Sequence, residues 1–315
     1  VMIRIAQIIA SIYLLLALAM IGLKFFSPAP EPVVVQMAYG TEKEEWLEDA
    51  VARFAATNPT VRGRPIEIVL EGVGSREIVT RITQDEDLQP VVISPASSIQ
   101  VELLRNEWQV RQGSTILADS PQPLVLTPLV LVAWEERAQA LWADTPTTLS
   151  PTEFWGNIHD VLADPEGWQR FGQPEWGFAK FGHTSPEESN SGIQTLVLLA
   201  YAYHGKTQDL GSGDILDQDF QTWLDDIENS VLEFGSSTGA FMNTMVNFGP
   251  GKYDFVVVYE NLAIAQIENA EGRWGQPIRT YYPPATILSD HPYVILDAPW
   301  VTPDQQEAAR VFRDF

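Results

Sequence analysis

The sequence predicts an α/β fold on a parallel sheet, because strand, loop and helix patterns follow one another three times in succession. Residues 33–38 read as a buried strand ending at Tyr39-Gly40. From Thr41 a helix follows, with Trp46, Leu47, Ala50, Val51, Phe54 and Ala55 on one face. Residues 66–70 form the second strand, ending in Glu71-Gly72-Val73-Gly74-Ser75 before a helix through Ile82. Residues 91–93 form the third, ending in Ser94-Pro95-Ala96-Ser97 before a helix over 99–108.

The first of these helices opens on Thr41-x-x-Glu44, the spacing of a capping box. After the third unit the pattern changes. Residues 124–134 are one extended run broken at Thr127-Pro128, followed by Trp- and Pro-rich connections and a strand at 177–180. Helices are expected at about 189–203 and 220–234, a buried strand at 254–259, and a helix from Asn261. Strands near 279–282 and 294–296 lead to a helix opened by Thr302-Pro303-Asp304-Gln305, with proline at the first helical position. That amphipathic pattern has not closed at Phe315, which predicts that the chain continues.

Of 315 residues, 45% are apolar and 19% charged, enough for one large or two medium domains with ordinary cores. The formal charge of −23 repels phosphate backbones and anionic lipid, which argues against nucleic-acid binding. With no cysteine, disulfides, thiolate nucleophiles, zinc–sulfur sites and a lipid-anchoring cysteine are excluded. Residues 5–23 are almost wholly apolar between Arg4 and Lys24 and would span about 28 Å as a helix, close to the bilayer core. A cleaved signal peptide has a shorter apolar stretch, roughly 7–15 residues. Residues 1–26 are therefore expected to be a single-pass signal-anchor with the body outside the cell membrane. Residues 27–32, Ser-Pro-Ala-Pro-Glu-Pro, form a stiff tether.

In open α/β sheets ligands bind beyond the carboxyl ends of strands, against helix N-termini. Thr41, Ser75, Ser94, Ser97, Ser98, Ser189 and Ser191 cluster at such positions, although Ser and Thr are also the ordinary N-caps. One of these loops, Pro186-Glu187-Glu188-Ser189-Asn190-Ser191-Gly192 running into an apolar helix, resembles the P-x-x-S-x-S-G segment of bacterial extracellular solute-binding proteins of the type II fold. The stretch from Val91 to Ser98 and the crossing strand Leu124-Val125-Leu126-Thr127-Pro128-Leu129-Val130 are similar to that family in the same order. So are Tyr253 to Asn261, Tyr281-Tyr282-Pro283-Pro284 and the final helix.

The resemblance implies a two-lobed periplasmic-binding-protein-like fold with parallel-rich sheets. Lobe I would comprise 33–127 and 280–315, lobe II 128–279, with hinges near 127–130 and 279–282. It also implies non-catalytic binding of a small polar solute, whether an oxyanion, a sugar or a metal-bound species. The solute would be handed to an ABC-type permease or reported to an attached domain. Some relatives carry a von Willebrand factor A domain after the lobes. The ligand is expected to meet Tyr39, Thr41, Ser75, Ser94, Ser97 and the crossing residue Thr127 from the first lobe. Ser189, Asn190 and Ser191 would meet it from the second, with Tyr259 and Glu260 setting polarity and size. Glu42, Glu71 and Glu260 near the cleft weigh against a bare dianion. The other reading is a structural or adhesive protein that keeps the fold without a ligand.

Other chemistries lack their patterns. Gly72-x-Gly74 has Glu77 where a dinucleotide fingerprint needs its third glycine, and Gly249-Pro250-Gly251-Lys252 is not a P-loop. Gly235-Ser236-Ser237-Thr238-Gly239 fails as a nucleophile elbow. His159, His183, His204 and His291 lack metal-ligand spacing, so no metal or cofactor is expected. Trp46 and Trp108 fit buried helix faces, and Trp134, Trp155 and Trp300 are candidates to line a cleft.

Overall fold

A computed structural model describes residues 12, 13, 15, 30–85, 87–142 and 148–315. The expected anchor over 1–26 and tether over 27–32 lie outside this set, apart from Ile12, Tyr13, Leu15 and residues 30–32. No described helix is long and apolar enough to cross a membrane.

The chain lays down strand β1 (Val33–Tyr39), helix α1 (Glu44–Ala56), strands β2 (Thr60–Val61) and β3 (Arg64–Gly72), and helix α2 (Ser75–Thr80). Strand β4 (Val92–Ser94), helix α3 (Ser98–Gln112) and strand β5 (Gln122–Pro123) follow. Next come β6 (Thr127–Trp134), α4 (Glu135–Trp142), α5 (Pro151–Leu162), β7 (Phe181–Gly182), α6 (Asn190–Tyr203), α7 (Ser212–Ile215), α8 (Gln218–Asn229) and α9 (Thr238–Phe248). The last part holds β8 (Phe255–Tyr259), α10 (Glu260–Ala265), α11 (Ile267–Trp274), β9 (Ile278–Tyr281), β10 (Leu288–Ser289), β11 (Pro292–Ile295) and α12 (Pro303–Arg313).

Two sheets form, ordered β2-β3-β1-β4-β11-β5 and β10-β6-β8-β7, with β9 also paired to β6. Only part of the parallel character expected is present. β1 runs parallel to β3 and β4, but β11 is antiparallel to β4, and in the second sheet β7–β8 is the parallel pair. The reason lies in β6, which pairs antiparallel with β8, β9 and β10. β9 and β10 belong to the second sheet, so Thr280, Tyr281, Leu288 and Ser289, expected in lobe I from the sequence, pair with β6. The crossings fall at 123–127 and 289–292.

The central strands β6 and β8 are covered on both faces, which is why they read as near-continuous apolar runs, whereas β3 toward the edge of the first sheet alternates with exposed Glu67 and Glu71. Along β6, alternate residues Leu129, Leu131 and Ala133 enter one core with Phe154, Trp155 and Trp168, while Val130, Val132 and Trp134 enter another with Phe241 and Met245. All six are fully buried, so truncating Leu131 to Ala would cost about 2–5 kcal/mol. In the first sheet Val33, Val35 and Met37 pack with Phe54 and Phe312, and Ile93 packs with Ile78 and Leu104 on the opposite face.

Helix α12 starts on the expected capping box of Thr302 and Gln305. The Thr41-x-x-Glu44 box does not form. A 3-10 turn occupies Thr41–Lys43, α1 begins at Glu44, and the Thr41 hydroxyl caps nothing. The strand expected at 177–180 is irregular, and the strand begins only at Phe181. Trp46 is 47% exposed because the inward face of α1 is taken by Leu47 and Phe54. Trp134 and Trp155 are core residues, and Trp300 packs edge-on against Trp108, so none of the three lines a cleft.

Candidate ligand-binding site

Three longer helices begin where the two sheets face each other, and none is capped by its own N-cap side chain. These are α3 behind Ser97, α6 behind Ser189 and α9 behind Ser237. Each start projects unpaired N–H groups and a positive dipole end. At α3 the first N–H is taken by the Asp290 carboxylate from the second crossing, 2.8 Å from Ser98 N. At α6 and α9 the hydroxyls gather instead. Ser191 Oγ lies 2.7 Å from both Thr184 Oγ1 and Thr238 Oγ1, and Ser189 Oγ lies 3.4 Å from Ser191 Oγ and 3.3 Å from Thr238 Oγ1. All four side chains are at most 3% exposed.

Gly192 makes this cluster possible. A Cβ there would stand 2.3 Å from the Thr184 carbonyl oxygen and 2.7 Å from Pro186 N, so only glycine lets the first turn of α6 pack on the 184–186 loop. From the first lobe, Thr41 comes up to the start of α9, where a Cβ on Gly239 would be 3.1 Å from the Thr41 carbonyl oxygen and 3.2 Å from its hydroxyl. Beside this contact a groove of about 410 Å³ runs between the lobes, with Glu42, Glu44 and Glu45 beside Thr41 and Lys43 on one wall and Ser237 and Asn261 on the other.

Among the described residues, four buried polar atoms of this region have no hydrogen-bond partner: Thr41 Oγ1, Ser94 Oγ, Gln100 Oε1 and Gln194 Nε2. Ser94, Gln100 and Gln194 are at most 1% exposed. Leaving a buried polar atom unpaired costs about 1–3 kcal/mol each, which a bound molecule with matching groups would recover.

The remaining predicted residues divide by position. Ser75 accepts a hydrogen bond from Ala96 N at 2.9 Å and so ties one strand-end loop to the next. Tyr39 lies against Gly72, and burial together with Glu44, Glu48 and Glu42 pushes its phenol up to about 12. Ser97 and Asn190 bond each other across the lobes at 2.7 Å. Tyr259 is buried, accepts from Asn190 Nδ2 at 2.9 Å and donates to Gln194 Oε1 at 3.3 Å. Its phenol is pushed up by burial and by Glu42. Thr127 pairs with Ser289 where the strands cross. Glu260 turns to the surface and accepts from the Tyr282 hydroxyl.

Of the three carboxylates expected near the cleft, Glu42 lines the interlobe groove, whereas Glu71 and Glu260 do not. Glu71 is exposed and paired with Arg81 at 3.1 Å, and Glu260 faces outward. Glu42 is buried, but it is bonded to Lys43 and stands 3.2 Å from His291 Nδ1. Burial pushes Glu42 up, and Lys43 and His291 more than reverse this, holding it at about 2. Burial also lowers Lys43, with Glu42 opposing.

The sequence reading had missed Thr184, Thr238, Gln100, Gln194 and His291. For Thr238 a signal existed, since Ser236-Ser237-Thr238 precedes Phe241, Met242, Met245 and Val246 at helical spacing, a helix start. For the two glutamines inside helices there was none. No group of three His, Asp or Glu residues that could hold a metal ion occurs among the described residues.

No protein-family model matches the sequence, and no curated protein is significantly similar to it. Solved structures are similar in fold. A periplasmic thiamin binding protein matches with a TM-score of 0.58 and 9% identity, covering 91% of this chain and 81% of that one. The sulfate-binding protein SubI from Mycobacterium tuberculosis H37Rv matches at 0.55 and 17% identity, covering 90% and 80%. Maltose-bound MalE3 of T. maritima matches at 0.55 and 13% identity, covering 89% and 76%. At these identities the likeness is one of architecture, and the chain is an α/β protein with the two-lobed fold of the periplasmic solute-binding proteins.

Proposed function

We propose that this protein binds a small polar solute between its lobes outside the cell membrane and catalyses no reaction on it. The observation that carries the reading is the buried cluster of Thr184, Ser189, Ser191 and Thr238 at two uncapped helix starts, with unpaired Thr41 and Ser94 hydroxyls in the same interlobe region. Neutral donors and helix dipoles suit a ligand rich in acceptor oxygens. With Glu71 and Glu260 turned away and Glu42 paired with Lys43, the hydroxyl cluster suits an oxyanion head group, while Glu44 and Glu45 on the groove wall oppose further negative charge on the rest of the ligand. SubI is named for sulfate, which agrees with this choice. The apolar stretch over 5–23 would serve as the anchor, and the solute would pass to a permease or be reported to a further domain.

The test is a thermal-shift and calorimetric panel on the full chain, with sulfate, phosphate, molybdate, sugars and amino acids. A ligand at 100 times its Kd adds about 2.7 kcal/mol, a rise of several degrees in Tm. Saturable binding of an oxyanion supports the reading, and no shift with any member of the panel sinks it.

A further inference from the structure

The lobes are joined by the chain's own groups at three places around the hydroxyl cluster. The Glu188 carbonyl of the second lobe accepts from Arg76 N at 3.1 Å and Glu77 N at 3.3 Å in the first. Asn261 Nδ2 donates to the Glu42 carbonyl at 2.8 Å. Asn190 makes the most complete contact of the three. Its Oδ1 accepts from Ser97 Oγ at 2.7 Å and Gln100 Nε2 at 3.1 Å across the lobes, while Nδ2 donates to Tyr259 OH at 2.9 Å within its own lobe.

An amide has two acceptor positions and two N–H groups, and three of those four are already used. Asn190 can offer a ligand one N–H at most. The Ser97 hydroxyl, the natural cap of α3, is likewise turned onto Asn190. Both residues are at most 3% exposed, where hydrogen bonds are stronger than in water and their loss is felt in full.

We propose that Asn190 is the strut that holds the lobes closed, a positioning residue in place of the ligand contact its motif position implies. The inference rests on the clamp reading above. The positive end of α3 is already covered by the Asp290 carboxylate, so the two helix starts meet without uncompensated repulsion. The Ser97–Asn190–Gln100 knot then holds them together, and an anion arriving at the hydroxyls would complete the charge balance at α6. Closure is thereby partly built into the protein, and the ligand completes it.

The chain has no cysteine, so labels can be placed at will. Val110→Cys in the first lobe and Leu216→Cys in the second, at positions 87% and 70% exposed, carry spin labels whose separation reports the lobe angle by pulsed electron resonance. Without ligand, the otherwise unmodified chain should give one short distance. Asn190→Ala should add a longer distance holding at least half the population, and Ser97→Ala/Gln100→Ala, which cuts the same bonds from the other lobe, should do the same. Because the second variant leaves Asn190 intact, the test survives misfolding of the first. All three substitutions together should open the chain no further than either set alone. An unchanged short distance in Ser97→Ala/Gln100→Ala, or fully additive effects, overturns the strut. A chain that binds its anion yet ignores these substitutions refutes the strut alone, whereas one that responds to them but binds nothing refutes the clamp's function alone.

Discussion

Ser191 Oγ stands 2.7 Å from Thr238 Oγ1, joining the first turns of two helices that lie 47 residues apart in sequence. Each residue sits at a helix start whose backbone N–H groups face no cap, so the pair combines side-chain and main-chain donors in one spot. Thr238→Val removes the hydroxyl at nearly constant shape. We predict a loss of at least tenfold in anion affinity with a stability change near 1 kcal/mol, the scale of one hydrogen bond. Calorimetry alongside denaturant melts checks this, and unchanged affinity would move the site elsewhere.

Gly192→Ala is expected to damage both site and stability, because the added methyl meets three backbone atoms of the 184–186 loop and no flexible side-chain end that could give way. Overpacking of this kind costs about 1–3 kcal/mol. The displaced 184–186 loop would carry Thr184 off Ser191. Full affinity in a Gly192→Ala chain would show that the loop's position does not matter.

Asp254 supports the fold away from the cleft. Its Oδ1 accepts from Arg137 Nε at 2.7 Å, and its Oδ2 accepts from Lys180 N at 2.7 Å and Trp168 Nε1 at 3.2 Å. Asp254→Ala strands a buried guanidinium and two donors, which should destabilise the protein by about 3–5 kcal/mol. Urea denaturation measures it, and a loss below roughly 1 kcal/mol would contradict the buried-pair account.

Acid should weaken the protein in two stages. Burial, aided by Lys43, lowers His291 against the pull of Glu42 and Asp290, and its ring sits edge-on to Tyr259 at 5.5 Å. The unfolded chain therefore holds the extra proton first, and stability falls as pH drops below about 6.5. Glu42 is lowered from 4.5 to about 2, so its contribution is present above pH 4.5 and is lost between there and about 2. His291→Asn should remove the upper stage and shrink the lower one, because His291 helps Lys43 hold Glu42 low, and asparagine tolerates the backbone φ of +40° found there. Melts across roughly pH 4–8 decide it, and identical upper limbs in both proteins would exclude His291.

Much of this architecture was legible because burial on both faces writes strands such as β6 and β8 as unbroken apolar runs. Helix α12 was equally plain, since its Thr302–Gln305 cap is local chemistry. Thr41-x-x-Glu44 had the same spacing and misled, because the approach of α9 to Thr41 turned the cap into a 3-10 turn, a tertiary effect no local pattern carries. The motif around Ser189–Gly192 marked half the hydroxyl cluster. Thr184 and Thr238 join it only through folding, and Asn190 fitted the ligand pattern yet turned to Ser97. Side-chain direction between lobes is set by closure, which sequence periodicity does not encode.

The chain leaves the first sheet at Pro123 and returns at Pro292, and these two residues are paired neighbours in β5 and β11. Opposite residues of an antiparallel pair stand only about 4.5–5.5 Å apart. Everything between them is thus an insertion into a hairpin, and order of synthesis follows from it. A nascent chain that has reached Ser289 already owns every strand of the second sheet, whereas β4 still shows a bare edge awaiting β11. Hydrogen exchange on ribosome-bound chains arrested once Ser289 has emerged should find the amides of β6 and β8 protected and those of β4 still open. The part of the protein made first is then the part that finishes last.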